Sequence, residues 1–389
     1  MSHNWTFTRE EIALKTLPSG HRLTAPVFRL AGRGNLKCYI QANNHGGEIA
    51  GNGAIFALLK KCQSYDIYGT ITIVPHCNPV SLNTRIDDSQ IGVYDSATGQ
   101  NWNRLFQIPV SRGPSAWQLD AAAFAGEHRD DSWTHIKNAY REQIGAALQR
   151  LRLSGAARGM DYRTSFALEL QSLSYDADFV LDLHTGDIAP RYLYAPDYAR
   201  RSAPAFHIPH ILFMQNEFGG AFDEVNFCPW WTLAEELRAL GRTDIELDVE
   251  AYTVELGSLE TIRPDDMEKD ADRILNYLRS KGMISGEPAP AREPLYACRT
   301  QDYLTYYAPA SGLAVIDVPP GAHLKAGQQI GYILSLSSLK DVDHPEQAQT
   351  PLHVQEDAIL ITRYRSPIVF KGQALFKVMT QYSAVEVYR

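Results

Sequence analysis

Gln41-Ala42-Asn43-Asn44-His45-Gly46-Gly47-Glu48 is the stretch on which the reading of this chain turns. Before it, Leu36-Lys37-Cys38-Tyr39-Ile40 has the character of a buried β-strand. After it, Ile49, Ile55, Phe56, Leu58 and Leu59 recur at helical spacing as far as Lys61. His45 and Glu48 therefore fall where a strand gives way to a helix. In an open α/β sheet that edge is where ligands bind, because the turns splay apart and leave a crevice. Gly46 and Gly47 let the backbone bend tightly there. An imidazole nitrogen and a carboxylate oxygen are two-thirds of a His₂Glu zinc set, which needs one more His and an open fourth position. Alone, His-x-x-Glu is a weak signal. Its weight depends on what the other strands supply.

Two other apolar strands end on chemistry of the same kind. Ala177-Asp178-Phe179-Val180-Leu181-Asp182-Leu183 runs into His184, and Glu250-Ala251-Tyr252-Thr253-Val254 runs into Glu255. Turn formers such as Gly, Asn or Asp are the expected ends of buried strands, so His, Glu, His and Glu together point to a site. Two neutral imidazoles and one carboxylate can hold Zn²⁺ and leave a position for water, whose pKa falls from ~15.7 toward ~7. A residue outside the metal shell must then carry the water's proton to the leaving group, and Glu255 is the candidate. Glu246 lies in a polar run, Glu260 beyond the turn, and Glu250 at the opposite edge of the sheet. Among the remaining histidines His76 could support the site. The others read as surface or core residues.

The run from His76 to Phe106 is polar and irregular, and loops of that length usually carry function. It holds Arg85, Asn103 and Arg104. A guanidinium stays charged and forks onto carboxylates, so these residues are candidates for substrate binding and oxyanion stabilisation.

With 389 residues, a net charge of -8, 44% hydrophobic and 21% charged residues, the chain reads as an ordinary globular protein of two domains, or one large domain with an appendage. The acidic balance and the lack of Lys/Arg runs argue against a nucleic-acid surface. No apolar span or basic-plus-apolar leader is legible, so the expectation is a cytoplasmic protein with no membrane partner. Cys38, Cys62, Cys77, Cys228 and Cys298 are scattered and form no Cys-x-x-Cys pair, so neither a disulfide framework nor a thiolate metal site is expected.

Alternating strand and helix patterns predict an α/β fold with a mixed, largely parallel sheet covered by helices on both faces. Helical periodicity between Gln118 and Leu153 marks a helical insertion at about 107–161, and a second amphipathic helix is expected from Cys228 to Leu240. Gly286 to Pro294 is a Pro-rich linker. Beyond it short β runs dominate, which predicts a small all-β barrel or sandwich. The expected division is a catalytic domain over 1–287 and a C-terminal β domain over 288–389.

His45-x-x-Glu48, Asn78-Pro79, Asn83-Thr84-Arg85, Asn101-Trp102-Asn103-Arg104-Leu105-Phe106, Asp182-Leu183-His184 and Thr253-Val254-Glu255-Leu256-Gly257 occur in that order. As a set they resemble the motifs of the succinylglutamate desuccinylase/aspartoacylase family, within the zinc carboxypeptidase-like superfamily. The likeness spans about Leu36 to Lys281. It implies one Zn²⁺ bound by His45, Glu48 and His184, with Glu255 as general base and acid. It also implies Arg85 polarising the scissile carbonyl and Asn103 with Arg104 gripping a substrate carboxylate. The expected activity is hydrolysis of a linear amide by metal-activated water, on a small N-acyl amino acid or related amine. A metallocarboxypeptidase is the alternative within enzymes and a non-catalytic binding protein the alternative outside them. The β region is similar to biotinyl/lipoyl-type barrels but lacks an acceptor-like lysine, so no carried cofactor is expected. The acyl group stays open, as does the oligomeric state, where a homo-oligomer is compatible.

Overall fold

The computed structural model describes residues 4–157 and 159–385. The chain opens with a long hairpin, β1 (Thr6–Thr16) and β2 (Arg22–Ala31), followed by β3 (Lys37–Ala42), α1 (Ala50–Cys62) and β4 (Thr70–Val74). The polar run holds one helical turn, α2 (Pro79–Leu82), and a hairpin of β5 (Arg85–Ile86) with β6 (Ser89–Gln90). It also holds a 3₁₀ turn at Trp102–Arg104. The ribbon β7 (Val110–Ser111) and β8 (Leu119–Asp120) leads into α3 (Ala121–Glu127), α4 (Trp133–Ala156) and α5 (Tyr162–Ser174). Then come β9 (Phe179–Gly186), β10 (Arg191–Pro196), β11 (His210–Met214), α6 (Phe222–Ala239), β12 (Glu250–Ser258) and α7 (Pro264–Ser280).

After α7, β13 (Tyr296–Arg299) precedes β14 (Tyr303–Tyr307), β15 (Gly312–Ile316), β16 (His323–Leu324) and β17 (Gln329–Leu334). The chain closes with β18 (Gln349–His353), β19 (Ala358–Arg363), β20 (Ile368–Val369), β21 (Ala374–Met379) and β22 (Ser383–Ala384).

One ten-stranded sheet has the order β1-β2-β4-β3-β9-β12-β10-β11-β13-β22. Strands β4, β3, β9 and β12 at its centre run parallel, whereas β10 is antiparallel to β12. Every residue of β9 is buried, as a strand covered on both faces requires. Helices α1 and α7 cover one face, through Ala54, Ile55, Leu58, Ile274 and Leu278 against Leu181, Leu183 and Val254. Helices α5 and α6 cover the other, through Phe166, Leu170, Phe222 and Phe227 against Tyr39 and Val180. Each aliphatic side chain buried this way contributes about 1.5–3 kcal/mol.

The expected helical insertion is two helices, α3 and α4, broken between His128 and Ser132. Asp120 caps α3 and Ser132 caps α4. Both lie outside α6, burying Phe124, Ile136 and Tyr140 with Trp230 and Leu233. Helix α6 begins six residues before the expected Cys228. Pro229 reads as a first-turn residue because it lacks the N–H that a helix interior uses, yet here it lies inside the helix. Thr6–Thr16, a stretch rich in charged and polar residues, forms the edge strand β1.

Past the linker, two four-stranded antiparallel sheets, β14-β21-β19-β16 and β18-β17-β15-β20, share one apolar cluster that includes Leu324, Ile333, Leu360 and Val378. Strands β13 and β22 from the same region extend the large sheet. A second cluster of Tyr192, Leu212, Cys298, Ile359, Ile361 and Met379 seats β19 and β21 against β10 and β11. That contact brings the C-terminal region to the polar end of the sheet. No helix among the described residues is long and apolar enough to cross a membrane.

Candidate metal centre

Successive residues of a strand face opposite sides of the sheet. Leu181, Leu183, Val254 and Leu256 turn toward α1 and α7, so Asp182, His184, Thr253 and Glu255 turn the other way. The register aligns them in two rows. Gln41, Asp182, Thr253 and Tyr194 stand side by side, and His184, Glu255 and Tyr192 form the next row toward the strand ends. The sequence thus paints one face of the central strands polar where their carboxyl ends open.

The His45–Glu48 turn is drawn over that edge by a tight backbone. Asn43 holds φ 64, in the left-handed region, and its Nδ2 donates to the Glu48 carbonyl at 3.3 Å. The Gly46 N–H donates to Ser81 Oγ at 2.6 Å, and a Cβ on Gly46 would stand 2.3 Å from the Ser81 carbonyl oxygen. Only glycine fits that approach.

Glu48 then sits between two imidazoles. Its Oε1 is 2.8 Å from His45 Nδ1, and its Oε2 is 2.7 Å from His184 Nδ1 and accepts the Thr185 N–H at 3.1 Å. The two rings are 5.0 Å apart, edge to face. All three side chains are buried, and their ligating atoms form a group that could hold a metal ion.

The outward nitrogens decide which way the rings work. Asn101 Oδ1 accepts the Asn103 N–H at 2.7 Å, so it is the acceptor for His45 Nε2 at 2.9 Å. His45 Nε2 therefore carries the proton and Nδ1 offers its lone pair. His184 Nε2 faces Asp182 Oδ2 at 2.8 Å; Asp182 Oδ1 accepts from Gln41 Nε2 at 2.9 Å, and Gln41 Oε1 accepts from the Tyr39 hydroxyl at 3.0 Å. Metal-binding histidines are held this way, with the second ring nitrogen tied to a carboxylate or carbonyl.

Burial alone would lower the His184 pKa, but Asp182 and Glu48 outweigh it and push it well above the ordinary imidazole value. Burial alone would raise the Glu48 pKa, but His45 and His184 hold it well below the usual carboxylate range. A divalent cation can replace the protons that otherwise reconcile these groups. The donor set fits one.

Glu255 stands beside this group without belonging to it. It is buried, and its Oε2 has no hydrogen-bond partner. Burial and then the Glu48 charge raise its pKa, against the pull of His184 and Tyr192. A second carboxyl, Asp223 in the first turn of α6, is pushed up to about 7 by burial, by Glu224 and by Asp182.

Asn103 is buried under the start of α6, where its Oδ1 accepts the Phe222 N–H at 2.9 Å. Arg104 is exposed; its Nη1 donates to the Asn103 carbonyl at 2.5 Å, and its charge reaches Tyr194 and Lys377. Arg85 is exposed on β5, paired across the hairpin with Gln90, whose side chain lies against Gly47. His76 does not enter the cluster; its Nδ1 meets Asn43 Oδ1 at 3.0 Å, which makes it a support of the turn.

Sequence reasoning missed four neighbours. Asn101 and Asp182 lie inside the quoted motifs, and the need of each imidazole for an outer acceptor is the signal that could have singled them out. Lys377 and Tyr303 come from the C-terminal β region. Lys377 stands over the Tyr303 ring at 5.3 Å, its pKa lowered by burial and by Arg104 while Glu255 raises it. Nothing local in their sequence marks them.

The catalytic-domain model for succinylglutamate desuccinylase/aspartoacylase matches residues 35–124. Among solved structures, a candidate succinylglutamate desuccinylase/aspartoacylase from Shewanella frigidimarina is 33% identical, with TM-score 0.90 over 98% of this chain and 99% of that one. A candidate member of the same family from Shewanella amazonensis is 35% identical, with TM-score 0.89 over 97% and 100%. A succinylglutamate desuccinylase/aspartoacylase from Rhodobacter sphaeroides, at 17% identity and TM-score 0.62 over 95% of both chains, shares the fold. No curated protein matches the chain.

Proposed function

This chain belongs to the succinylglutamate desuccinylase/aspartoacylase family, and from that premise we propose that it is a zinc-dependent amidohydrolase that deacylates an N-acyl amino acid or a related small amine. The observation that carries the reading is the convergence of His45, Glu48 and His184 beside the unpartnered buried oxygen of Glu255.

In this reading His45, Glu48 and His184 would hold the ion. A bound Zn²⁺ supplies a Lewis acid that polarises a carbonyl and acidifies water. Glu255 is the proton carrier. Its raised pKa lets it take a proton from the attacking water, keep it through the addition step and deliver it to the departing amine. Its buried position keeps bulk water from that proton.

Substrate recognition falls to cations around this face. Arg104 and Lys377 are like charges close enough for one to depress the pKa of the other. A substrate carboxylate lying between them would relieve that repulsion, and Asn103 fixes the loop that presents Arg104. Arg85, on the hairpin flanking the His45–Glu48 turn, is assigned to the scissile carbonyl. We assign the catalytic unit to residues 1–287, with residues 288–389 contributing Lys377 and Tyr303 to its rim.

The test is a hydrolysis panel on chelator-stripped and Zn²⁺-restored protein. It should contain N-acetyl, N-succinyl and longer N-acyl amino acids together with a peptide carrying a free C-terminal residue. The proposal expects zinc-restored cleavage of at least one N-acyl amino acid. Cleavage of the peptide alone would make the enzyme a metallocarboxypeptidase instead.

A further inference from the structure

A second group of metal-ligating side chains lies away from the catalytic face, at the break between α3 and α4. His128 follows the last residue of α3, Asp131 is in the turn, and His135 is in the first turn of α4. His128 Nδ1 is 2.7 Å from Asp131 Oδ2, and His135 Nε2 is 3.6 Å from the same oxygen. One ligating atom from each residue falls within 4.8 Å of the others. His128-x-x-Asp131 also repeats the spacing of His45-x-x-Glu48, and in both pairs Nδ1 is the nitrogen turned to the carboxylate.

The backbone that carries these donors is held independently of any ligand. The Asp131 N–H donates to the His128 carbonyl at 3.1 Å, and the His135 N–H donates to Ser132 Oγ at 3.3 Å. Arg242 reaches over from beyond α6, its Nη1 donating to the Asp131 carbonyl at 2.9 Å and to the Arg129 carbonyl. The His128 ring packs on Phe124 with centroids 4.3 Å apart and planes tilted by 33°. A site whose ligands are oriented by packing and outer hydrogen bonds loses little order on binding.

We propose that His128, Asp131 and His135 form a second metal site, for one exchangeable divalent ion of the Zn²⁺ class. Two imidazole nitrogens and one carboxylate oxygen suit borderline first-row ions, whereas Ca²⁺ and Mg²⁺ call for oxygen donors. Side-chain exposures of 23%, 41% and 63% for His128, Asp131 and His135 leave room for water to complete the shell and for the ion to exchange. The ion ties the end of α3 to the start of α4. Both helices pack on α6, whose first turn receives Asn103, so the site braces the catalytic face from behind without touching it.

The competing account is a plain ion pair, in which Asp131 holds a protonated histidine and no metal. Titrating full-length, chelator-stripped protein with Zn²⁺, and counting bound ions by native mass spectrometry, separates the two. Wild type should bind one equivalent more than His135→Ala and than the double variant His128→Ala/His135→Ala. His184→Ala, which removes a ligand of the other centre, should keep the extra equivalent. That equivalent should raise the melting temperature only in proteins whose cluster is intact. Equal Zn²⁺ counts in wild type and the double variant would overturn the proposal.

Discussion

Asn101 Oδ1 and His45 Nε2 meet at 2.9 Å, and the direction of that hydrogen bond is fixed because the same oxygen already accepts the Asn103 N–H at 2.7 Å. The polar loop thereby sets the tautomer of His45, 56 residues away. Asn101→Ala should leave the sheet intact and weaken Zn²⁺ binding about 10–100-fold, the usual loss when an outer partner of a ligating histidine goes. Competition against a chromophoric chelator measures it. Unchanged affinity would mean that His45 needs no orienting group.

The turn between His45 and Glu48 is limited by space. Gly46→Ala would place a methyl 2.3 Å from the Ser81 carbonyl oxygen and 2.8 Å from Leu82 Cα, both of them backbone atoms. Overpacking of this kind costs about 1–3 kcal/mol. A lowered melting temperature and weaker metal uptake are expected together. Gly126→Ala, inside α3 with nothing within 4 Å of its added carbon, is the control. It should be neutral or stabilising by up to about 1 kcal/mol.

How far the site could be read from sequence follows from where its parts lie. The positions of His45, Glu48, His184 and Glu255 were legible because each ends or follows an apolar strand, and a polar, titratable residue there conflicts with the strand's own demand for burial. The start of α6 was not, since Pro229 masks a helix that begins at Phe222. Nor was β1, whose charges pair along the strand, Arg9 with Glu11, and across the hairpin, Glu10 with Arg29, instead of forming an apolar stripe. Lys377 was illegible for a different reason. Its place beside Glu255 depends on how β19 and β21 dock against β10, a long-range contact that no local pattern encodes.

Asp223 gives a pH signature of known sign. Its carboxyl titrates at about 7 in the folded chain and near ~3.9 when unfolded. Between those values the folded protein binds a proton that the unfolded chain has released. Its contribution to stability therefore falls as pH rises through that window, by up to about 1.4 kcal/mol per pH unit. Asp223→Asn removes the dependence. The melting temperature of the variant relative to wild type should become more favourable from pH 5 to pH 8. A difference that stays constant would place the Asp223 carboxyl in the ordinary range.

The central claim is that Glu255 moves the proton while three other side chains hold the ion, and one variant separates those jobs. Glu255→Gln keeps the shape and volume of the side chain and removes its basicity. Zinc content and turnover of an N-acyl amino acid, measured on the same preparation, should show wild-type metal content with turnover reduced by about 10²–10⁴. Zinc held at the wild-type level with turnover near the wild-type rate would contradict the account.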